Sequence, residues 1–249
     1  MNYIVVDFEF NQSYDFRKKI KKENPICPFE IIQIGAVKLD ENFEEVESGR
    51  FNKLIKPTIY KDIHPHVAKL TGFKKETFEN CETFESIVPE FLEFCDVEDV
   101  FVVWGDNDIV SLYKNLQYYS MQELPFPKKF INLQKQASKR LKKVSGAQVG
   151  LKNAIIEFDI DYNDNFHDAF YDAYYTSEIL KKMKKQSMRI NTFNLKSLNR
   201  KIAVKKESSH MRLYKILEKD VGRRLNNKEK AVVRKAYDIG KSRTLESKK

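Results

Sequence analysis

An alternating run at the N-terminus places the strongest constraint on how this chain folds. From Tyr3 to Phe10 every second residue is apolar, which is the pattern of a β-strand with one buried face. Ile4, Val6, Phe8 and Phe10 share that face. Asp7 and Glu9 fall together with Val5 on the other face, because successive strand residues point to opposite sides. Two carboxylates therefore project side by side from a largely apolar strand.

Later patterns predict an α/β layered domain. Two apolar runs, Ile31 to Leu39 and Val46 to Ile55, are separated by three polar residues and predict a hairpin. The short apolar run Val100 to Trp104 is typical of a buried strand. Helical patterns occupy 65–70, 84–94, 106–119, part of 127–144, 151–158 and 165–183. Strands come early and helices late, which indicates a sheet flanked by helices.

Charge divides the chain unevenly. Residues 1–180 hold 22 Lys and Arg against 30 Asp and Glu, a net −8, whereas residues 181–249 hold 23 against 6, a net +17. This break predicts one domain over 1–185 and a basic, mostly helical extension over 186–249. The extension shows two short amphipathic patterns, ended by Gly222 and Gly240.

The basic extension has more than one interpretation. Such segments usually meet phosphate polymers or anionic surfaces. A solvated helical face, a helical cap on the core or a partner-protein surface would have a similar composition. The loop run Arg17 to Lys22 is also basic and follows the first strand closely.

Composition excludes several classes of protein. Only 8 Gly and 7 Pro are present, which excludes collagen-like and Pro/Gly-rich disordered chains. The three cysteines are scattered without a CxxC pair, so we expect neither a disulfide framework nor a zinc cluster. No uncharged stretch approaches the roughly 20 residues of a membrane span, and Asp7 and Glu9 interrupt the N-terminal apolar run that a signal peptide would need. We therefore expect a cytoplasmic protein with no membrane partner.

The paired carboxylates Asp7 and Glu9 suggest a metal site. Two anions this close repel each other, and burial strengthens the repulsion, so a bound cation would offset it. Ligands that are all oxygen favour a hard ion such as Mg²⁺ or Mn²⁺ over zinc. The same pair on a solvated strand edge would look identical in sequence.

Asp108 is a second candidate acid. It follows the buried strand in the segment Val102 to Asp108 and falls in the first turn of the next predicted helix, with Asp106 as the cap. An acid at this position also has a simple structural role, because it stabilises the helix dipole.

A third acidic segment lies at the start of the last long helix pattern. His167 precedes that helix by about a turn and Asp172 follows five residues later. Ala169 and Ala173 are four residues apart, which leaves room for the helix to approach the sheet closely. Asp168 is better suited to capping the helix than to binding a ligand. A single histidine near a helix start is by itself more often structural.

Taken together, these segments resemble the three motifs of the DEDDh exonuclease superfamily. The motifs are DFE at 7–9, WGDND ending at Asp108, and HxAxxDA at 167–173. The likeness is closer to the enhanced-RNA-interference class and the bacterial sporulation-inhibitor type exonucleases. The further segments that carry it are DFEF, residues 28–38, LTGF at 70–73, INLQ at 131–134 and VGLK at 149–152. The resemblance covers residues 1–183, and 190–249 resemble nothing that we recognise.

The resemblance implies a ribonuclease-H-like fold, a central mixed β-sheet flanked by helices, and two divalent metal ions about 4 Å apart. It implies that Asp7 bridges both ions, that Glu9 and Asp172 complete the ligands of one, and that Asp108 reaches the other. His167 would take a proton from the attacking water as general base, a role that imidazole suits at neutral pH.

The implied function is metal-dependent 3′–5′ exonuclease activity that releases nucleoside 5′-monophosphates. The substrate would be single-stranded nucleic acid with a free 3′ end, and the preference for RNA rests on the resemblance alone. Thr71 and Asn107 would line the nucleotide pocket. Two other functions stay open: a non-catalytic nucleic-acid-binding or sporulation-regulatory protein on the same fold, and a small-nucleotide phosphohydrolase. Because an acidic core repels a polyanion, we expect the basic extension and the loop run to bind the phosphate backbone.

Overall fold

A computed structural model describes residues 1–13, 24–142, 147–183, 188–194, 213–214 and 216–246. The chain forms two compact units, Met1–Phe193 and Asn194–Lys249. The first unit continues past 185, where the sequence placed a domain boundary, because residues 191–192 add an edge strand to its sheet. The basic loop run Arg17 to Lys22 lies outside the described residues.

A six-stranded mixed sheet forms the centre of the first unit. Its strands, in chain order, are β1 (Tyr3–Gln12), β2 (Phe29–Leu39), β3 (Glu45–Leu54), β4 (Val100–Val103), β5 (Lys129–Asn132) and β6 (Asn191–Thr192). They lie in the order β3-β2-β1-β4-β5-β6. β1, β2 and β3 are antiparallel, β4 and β5 run parallel to β1, and β6 is antiparallel to β5. The predicted hairpin is confirmed as β2 and β3, whereas β5 and β6 were not predicted.

The helices follow the predicted segments closely in the first unit. They are α1 (Pro65–Thr71), α2 (Phe84–Phe94), α3 (Asn107–Tyr118), α4 (Leu133–Arg140), α5 (Leu151–Glu157) and α6 (Ala169–Met183), with a 3-10 turn at Lys75–Phe78. The pattern over 165–183 becomes helical only from Ala169, because the side chain of Asp168 accepts hydrogen bonds from the first free N–H groups.

Helices cover both faces of the sheet. On one face, Val5, Val37 and Val102 belong to a core cluster shared with α4, α5 and α6. On the other face, the Phe91 ring of α2 lies 6.2 Å from both Phe8 and Phe101. Strand alternation therefore turns Asp7 and Glu9 toward the face that α6 covers.

The first turn of α6 lies directly against the backbone of β2. A Cβ atom at Gly35 would be 2.1 Å from the carbonyl carbon of Ala169 and 2.2 Å from the nitrogen of Phe170, so no larger residue fits there. Gly35 pairs with Asp7 in the β1–β2 register. Ala169 and Ala173 are fully buried, and the close approach predicted from these two alanines is confirmed.

The second unit has helical residues at 213–214 and 216–221, and then α7 (Asn227–Glu246). Gly222 adopts a φ of 72°, as expected of a glycine at a helix end. A capping box precedes α7: the N–H of Asn226 donates to Glu229 Oε2 at 2.8 Å, and the N–H of Glu229 donates to Asn226 Oδ1 at 3.0 Å. The predicted stop at Gly240 is wrong, because a helix tolerates one glycine at a cost of about 1 kcal/mol.

Among the described residues, no helix combines the length and the apolar composition needed to cross a membrane.

Candidate active site

The carboxylates of β1 lie at an irregular point of the sheet. Glu9 pairs with Gln33, but the next residue, Phe10, pairs with Ile31, so β2 carries an extra residue opposite this step. Such bulges bend a strand and redirect neighbouring side chains, and they are common beside active sites. Asp7 and Glu9 are both partly buried.

The start of α6 supplies two further candidates. His167 is exposed and has a φ of 65°, in the left-handed region that few residues other than glycine adopt. Its backbone N–H donates to Asp172 Oδ2 at 3.3 Å. Asp168 Oδ1 accepts from the N–H of Phe170 at 3.0 Å and of Tyr171 at 3.3 Å. Asp168 therefore caps the helix, as its sequence position predicts.

The fold brings Glu9, His167 and Asp172 together. Each offers one ligand atom, and these three atoms lie within 4.8 Å of one another. Asp172 Oδ1 is buried and has no hydrogen-bond partner among the described residues. A buried carboxylate oxygen normally has a partner, so this atom is open to a ligand that the described residues do not provide.

The pKa values of the acidic groups also indicate that these carboxylates lack neighbouring positive charge among the described residues. Burial raises the pKa of Asp7 well above its usual range, and the charges of Asp108, Asp172 and Glu9 add to the effect. Burial and then the Asp172 charge raise the pKa of Glu9 to about 8. Burial raises the pKa of Asp172 to about 7, opposed by the hydrogen bond from the His167 backbone. The pKa of Asp108 rises to about 6, again chiefly through burial.

These four acids fit divalent cations. Anions that share a poorly solvated region repel each other, and a bound cation stabilises their ionised forms. The available donors are carboxylate oxygens and one imidazole, a set that can bind divalent metal ions. The unpartnered oxygen of Asp172 provides a free ligand atom.

Asp108 lies in the first turn of α3, as predicted. Asp106 occupies the cap position, but the expected capping by its side chain is wrong, since that side chain makes no capping hydrogen bond. Its carboxylate instead accepts from Asn132 Nδ2 at 2.6 Å and forms an ion pair with Lys135. These contacts of Asp106 link the segment after β4 to the end of β5, next to Asp108.

Two other candidates lie outside the three-residue group. The hydroxyl of Thr71 donates to the carbonyl of Val67 at 2.9 Å and accepts from the N–H of Phe73 at 3.0 Å, so it serves the end of α1. Asn107 is the exposed first residue of α3. Their place in a nucleotide pocket stays a prediction. His64 has a structural role as the cap of α1, because its Nδ1 accepts from the N–H of His66 at 3.1 Å.

Sequence reasoning missed two residues of the site. Gly35 allows α6 to touch β2, and Gln33 bonds to the start of α6 from the position opposite Glu9. Both lie within an apolar run, and only the pairing register of β1 with β2 identifies them.

Comparison with known proteins places this arrangement in a family. The family model RNase_T, described as an exonuclease, matches residues 4–180. The chain belongs to this exonuclease family. The expected exonuclease superfamily, and an enzyme of that kind, are therefore confirmed, while the narrower enhanced-RNA-interference or sporulation-inhibitor class stays a prediction. No curated protein matches the chain.

Solved structures share the fold. The nuclease domain of 3′hExo, a DEDDh family member bound to rAMP, is 21% identical with a TM-score of 0.64, covering 78% of this chain and 97% of that one. Cell-death related nuclease 4 is 21% identical with a TM-score of 0.61, covering 77% and 66%. An E. coli exonuclease I complex with single-stranded DNA is 13% identical with a TM-score of 0.55, covering 75% and 41%. The predicted fold, a mixed sheet flanked by helices, is confirmed.

Proposed function

We propose that this protein is a divalent-metal-dependent 3′–5′ exonuclease that removes nucleoside 5′-monophosphates from single-stranded nucleic acid, with RNA favoured. The observation that supports it most directly is the group of Glu9, His167 and Asp172, whose ligand atoms lie within 4.8 Å of one another. Two related structures, a DEDDh enzyme bound to rAMP and an exonuclease bound to single-stranded DNA, agree with a monophosphate product and a single-stranded substrate.

The four carboxylates would hold two Mg²⁺ or Mn²⁺ ions, with Asp7 shared between them, Glu9 and Asp172 on one side and Asp108 on the other. When bound, these ions supply positive charge at the attacking and leaving oxygens of the phosphodiester. A bound cation would favour the ionised form of each carboxylate, because burial and neighbouring negative charges raise their pKa values. Asp172 is fixed by the backbone N–H of His167 at 3.3 Å.

His167 would act as the general base. It takes a proton from water as the new oxygen–phosphorus bond forms, while the bond from phosphorus to the 3′ oxygen of the preceding nucleotide breaks. Its exposed side chain is accessible to solvent, and its ligand atom lies within 4.8 Å of those of Glu9 and Asp172. Water held between these groups would be within reach of the imidazole.

The test uses the full chain with single-stranded RNA and DNA of one sequence, each labelled at the 5′ end. With Mg²⁺ or Mn²⁺ we expect shortening from the 3′ end and release of 5′-monophosphates, with none in EDTA. Asp172→Asn should abolish the ladder. Strand binding without cleavage would instead favour a non-catalytic nucleic-acid-binding protein, and hydrolysis of free nucleotides alone would favour a small-nucleotide phosphohydrolase.

A further inference from the structure

We infer that Gln33 is a positioning residue, which fixes the first turn of α6 and with it His167 and Asp172 against the strand that carries Glu9. The inference rests on the proposed function and deepens it, since it names what sets the geometry of the metal-binding group. Gln33 is 2% exposed. It lies directly opposite Glu9 in the β1–β2 register.

Both polar atoms of the Gln33 side-chain amide, Nε2 and Oε1, have hydrogen-bond partners. Nε2 donates to Asp168 Oδ2 at 3.2 Å and to Asn52 Oδ1 at 3.1 Å. Oε1 accepts from the backbone N–H of Ala169 at 3.1 Å. A buried polar group that is fully bonded in this way holds its partners in one arrangement.

Asp168 connects Gln33 to the residues of the candidate site. One of its oxygens bonds to Gln33, and the other accepts the N–H groups of Phe170 and Tyr171. Its backbone carbonyl accepts from the N–H of Asp172 at 2.9 Å. Because His167 directly precedes Asp168, a shift at this residue moves the histidine and the metal-binding carboxylate together.

The interaction needs a donor and an acceptor on one side chain. The amide of Gln33 donates toward the Asp168 carboxylate and accepts from the Ala169 N–H at the same time. Glutamate would keep the acceptor but place a second carboxylate against Asp168, and like charges at this distance repel. Gln33 and Asp168 can therefore be tested by a swap, in which the amide and the carboxylate exchange positions 33 and 168.

The experiment compares the full-length protein with Gln33→Glu, Asp168→Asn and the double variant. In the double variant, the amide introduced at position 168 donates to the carboxylate introduced at position 33, and its oxygen still accepts from the helix N–H groups. Two quantities are measured: kcat on labelled single-stranded RNA, and the Mn²⁺ concentration that gives half of the metal-induced rise in melting temperature. The Mn²⁺ midpoint can be measured whether or not the variant is catalytically active.

We expect Gln33→Glu to lower kcat by about 10- to 100-fold, since misplacement by about 1 Å costs this much, and to raise the Mn²⁺ midpoint severalfold. The double variant should recover both to within about threefold of the unmodified protein. Gln134→Glu is the matched control: that glutamine also donates from Nε2, to the carbonyl of Val149 at 3.0 Å, but on α4. It should leave the Mn²⁺ midpoint unchanged.

An unchanged kcat and Mn²⁺ midpoint in Gln33→Glu would overturn the inference, as would a double variant no better than the worse single one. If Gln33→Glu does not fold, Asp168→Asn breaks the same hydrogen bond, and an unchanged midpoint in that variant is equally decisive against it. Failure of the proposed function would look different, because the unmodified protein would then lack metal-dependent cleavage while its Mn²⁺ midpoint still reported on Gln33.

Discussion

Two carboxylates of the candidate site in the first unit and one carboxylate of the second unit have pKa values shifted in opposite directions. In the first unit, burial and like charges raise the pKa of Glu9 to about 8 and that of Asp172 to about 7. In the second unit, a bidentate contact with Arg223 lowers the pKa of Glu229 to about 2. Arg223 supplies Glu229 with a positive charge, whereas Glu9 and Asp172 have raised pKa values that a bound cation would lower. The first unit is therefore suited to binding cations, and the basic second unit to attracting anions.

Replacing one carboxylate in each unit tests this comparison most severely. Asp172→Asn should lower kcat by about a thousandfold or more, because the charge stabilisation removed from the phosphodiester amounts to several kcal/mol. Glu229→Gln, which removes a carboxylate of the second unit, should leave kcat unchanged. The measurement is the initial rate of shortening of 5′-labelled RNA with saturating Mn²⁺. Equal losses in the two variants would contradict the assignment of the chemistry to the first unit.

His167→Asn separates proton transfer from metal binding. Asparagine tolerates the positive φ of this position and keeps the backbone N–H that bonds Asp172. We expect kcat to fall by about a hundredfold or more, as is typical when a general base is removed. The metal-induced rise in melting temperature should persist. A variant that loses this rise would identify His167 as a metal ligand rather than a base.

Gly35→Ala tests the close approach of α6 to the sheet. The added methyl group would collide with the backbone of Ala169, so α6 must move away from Asp7. We expect a loss of about 1–3 kcal/mol in the free energy of unfolding, typical of overpacking, and a kcat reduced by about tenfold to a hundredfold. Urea unfolding and initial rates give both quantities. Gly150→Ala is the control, since a Cβ there meets nothing within 4 Å.

The raised pKa values give a pH dependence of stability with a definite sign. An acid whose pKa is higher in the folded than in the unfolded protein binds protons on folding, so its stabilising effect is lost as pH rises. For Asp108, Asp172 and Glu9, with folded values of about 6, 7 and 8, this interval runs from about pH 4 to pH 8.

The metal-free protein should therefore melt several degrees lower at pH 8 than at pH 5.5, a shift of the size that about 1–2 kcal/mol produces. Mn²⁺ at pH 8 should reverse the loss, and metal-free Asp172→Asn should melt above the unmodified protein at that pH. Scanning calorimetry in EDTA and in Mn²⁺ measures this. A melting temperature that rises steadily from pH 5.5 to 8 without metal would oppose the account.

The smallest effects are expected in the second unit. We propose that its positive charge attracts the phosphate backbone, and the triple variant Lys228→Gln, Arg234→Gln and Lys235→Gln tests this. KM for a 20-nucleotide strand should rise a few-fold, and the slope of log KM against log salt should fall by about 0.7 for each phosphate that the variant no longer neutralises. kcat on a dinucleotide should not change. An unchanged salt slope would remove the second unit from substrate binding.

The sequence predicted the parts of this molecule that local patterns determine. The alternation around Asp7 and Glu9 fixed which face of the strand they share, and the alanines at 169 and 173 predicted the approach of α6. β5 was missed because Lys129–Asn132 is only four residues long and runs directly into α4 at Leu133. Its pattern merges with that of the helix.

The parts that the sequence did not predict depend on contacts between distant segments. The role of Gln33 requires the register that places it opposite Glu9 and next to Asp168, 135 positions along the chain. The side chain of Asp106 is drawn from its expected capping role by Asn132 and Lys135. The left-handed backbone at His167 was likewise not predicted from the sequence.

A titration of the full-length, metal-stripped protein with Mn²⁺ at pH 7.5, followed by calorimetry or electron paramagnetic resonance, tests the proposed site most directly. The account predicts two bound ions per chain for the unmodified protein, and at most one for Asp7→Asn, because Asp7 would be shared by both. The same number of ions in the two proteins, or none in either, would contradict it.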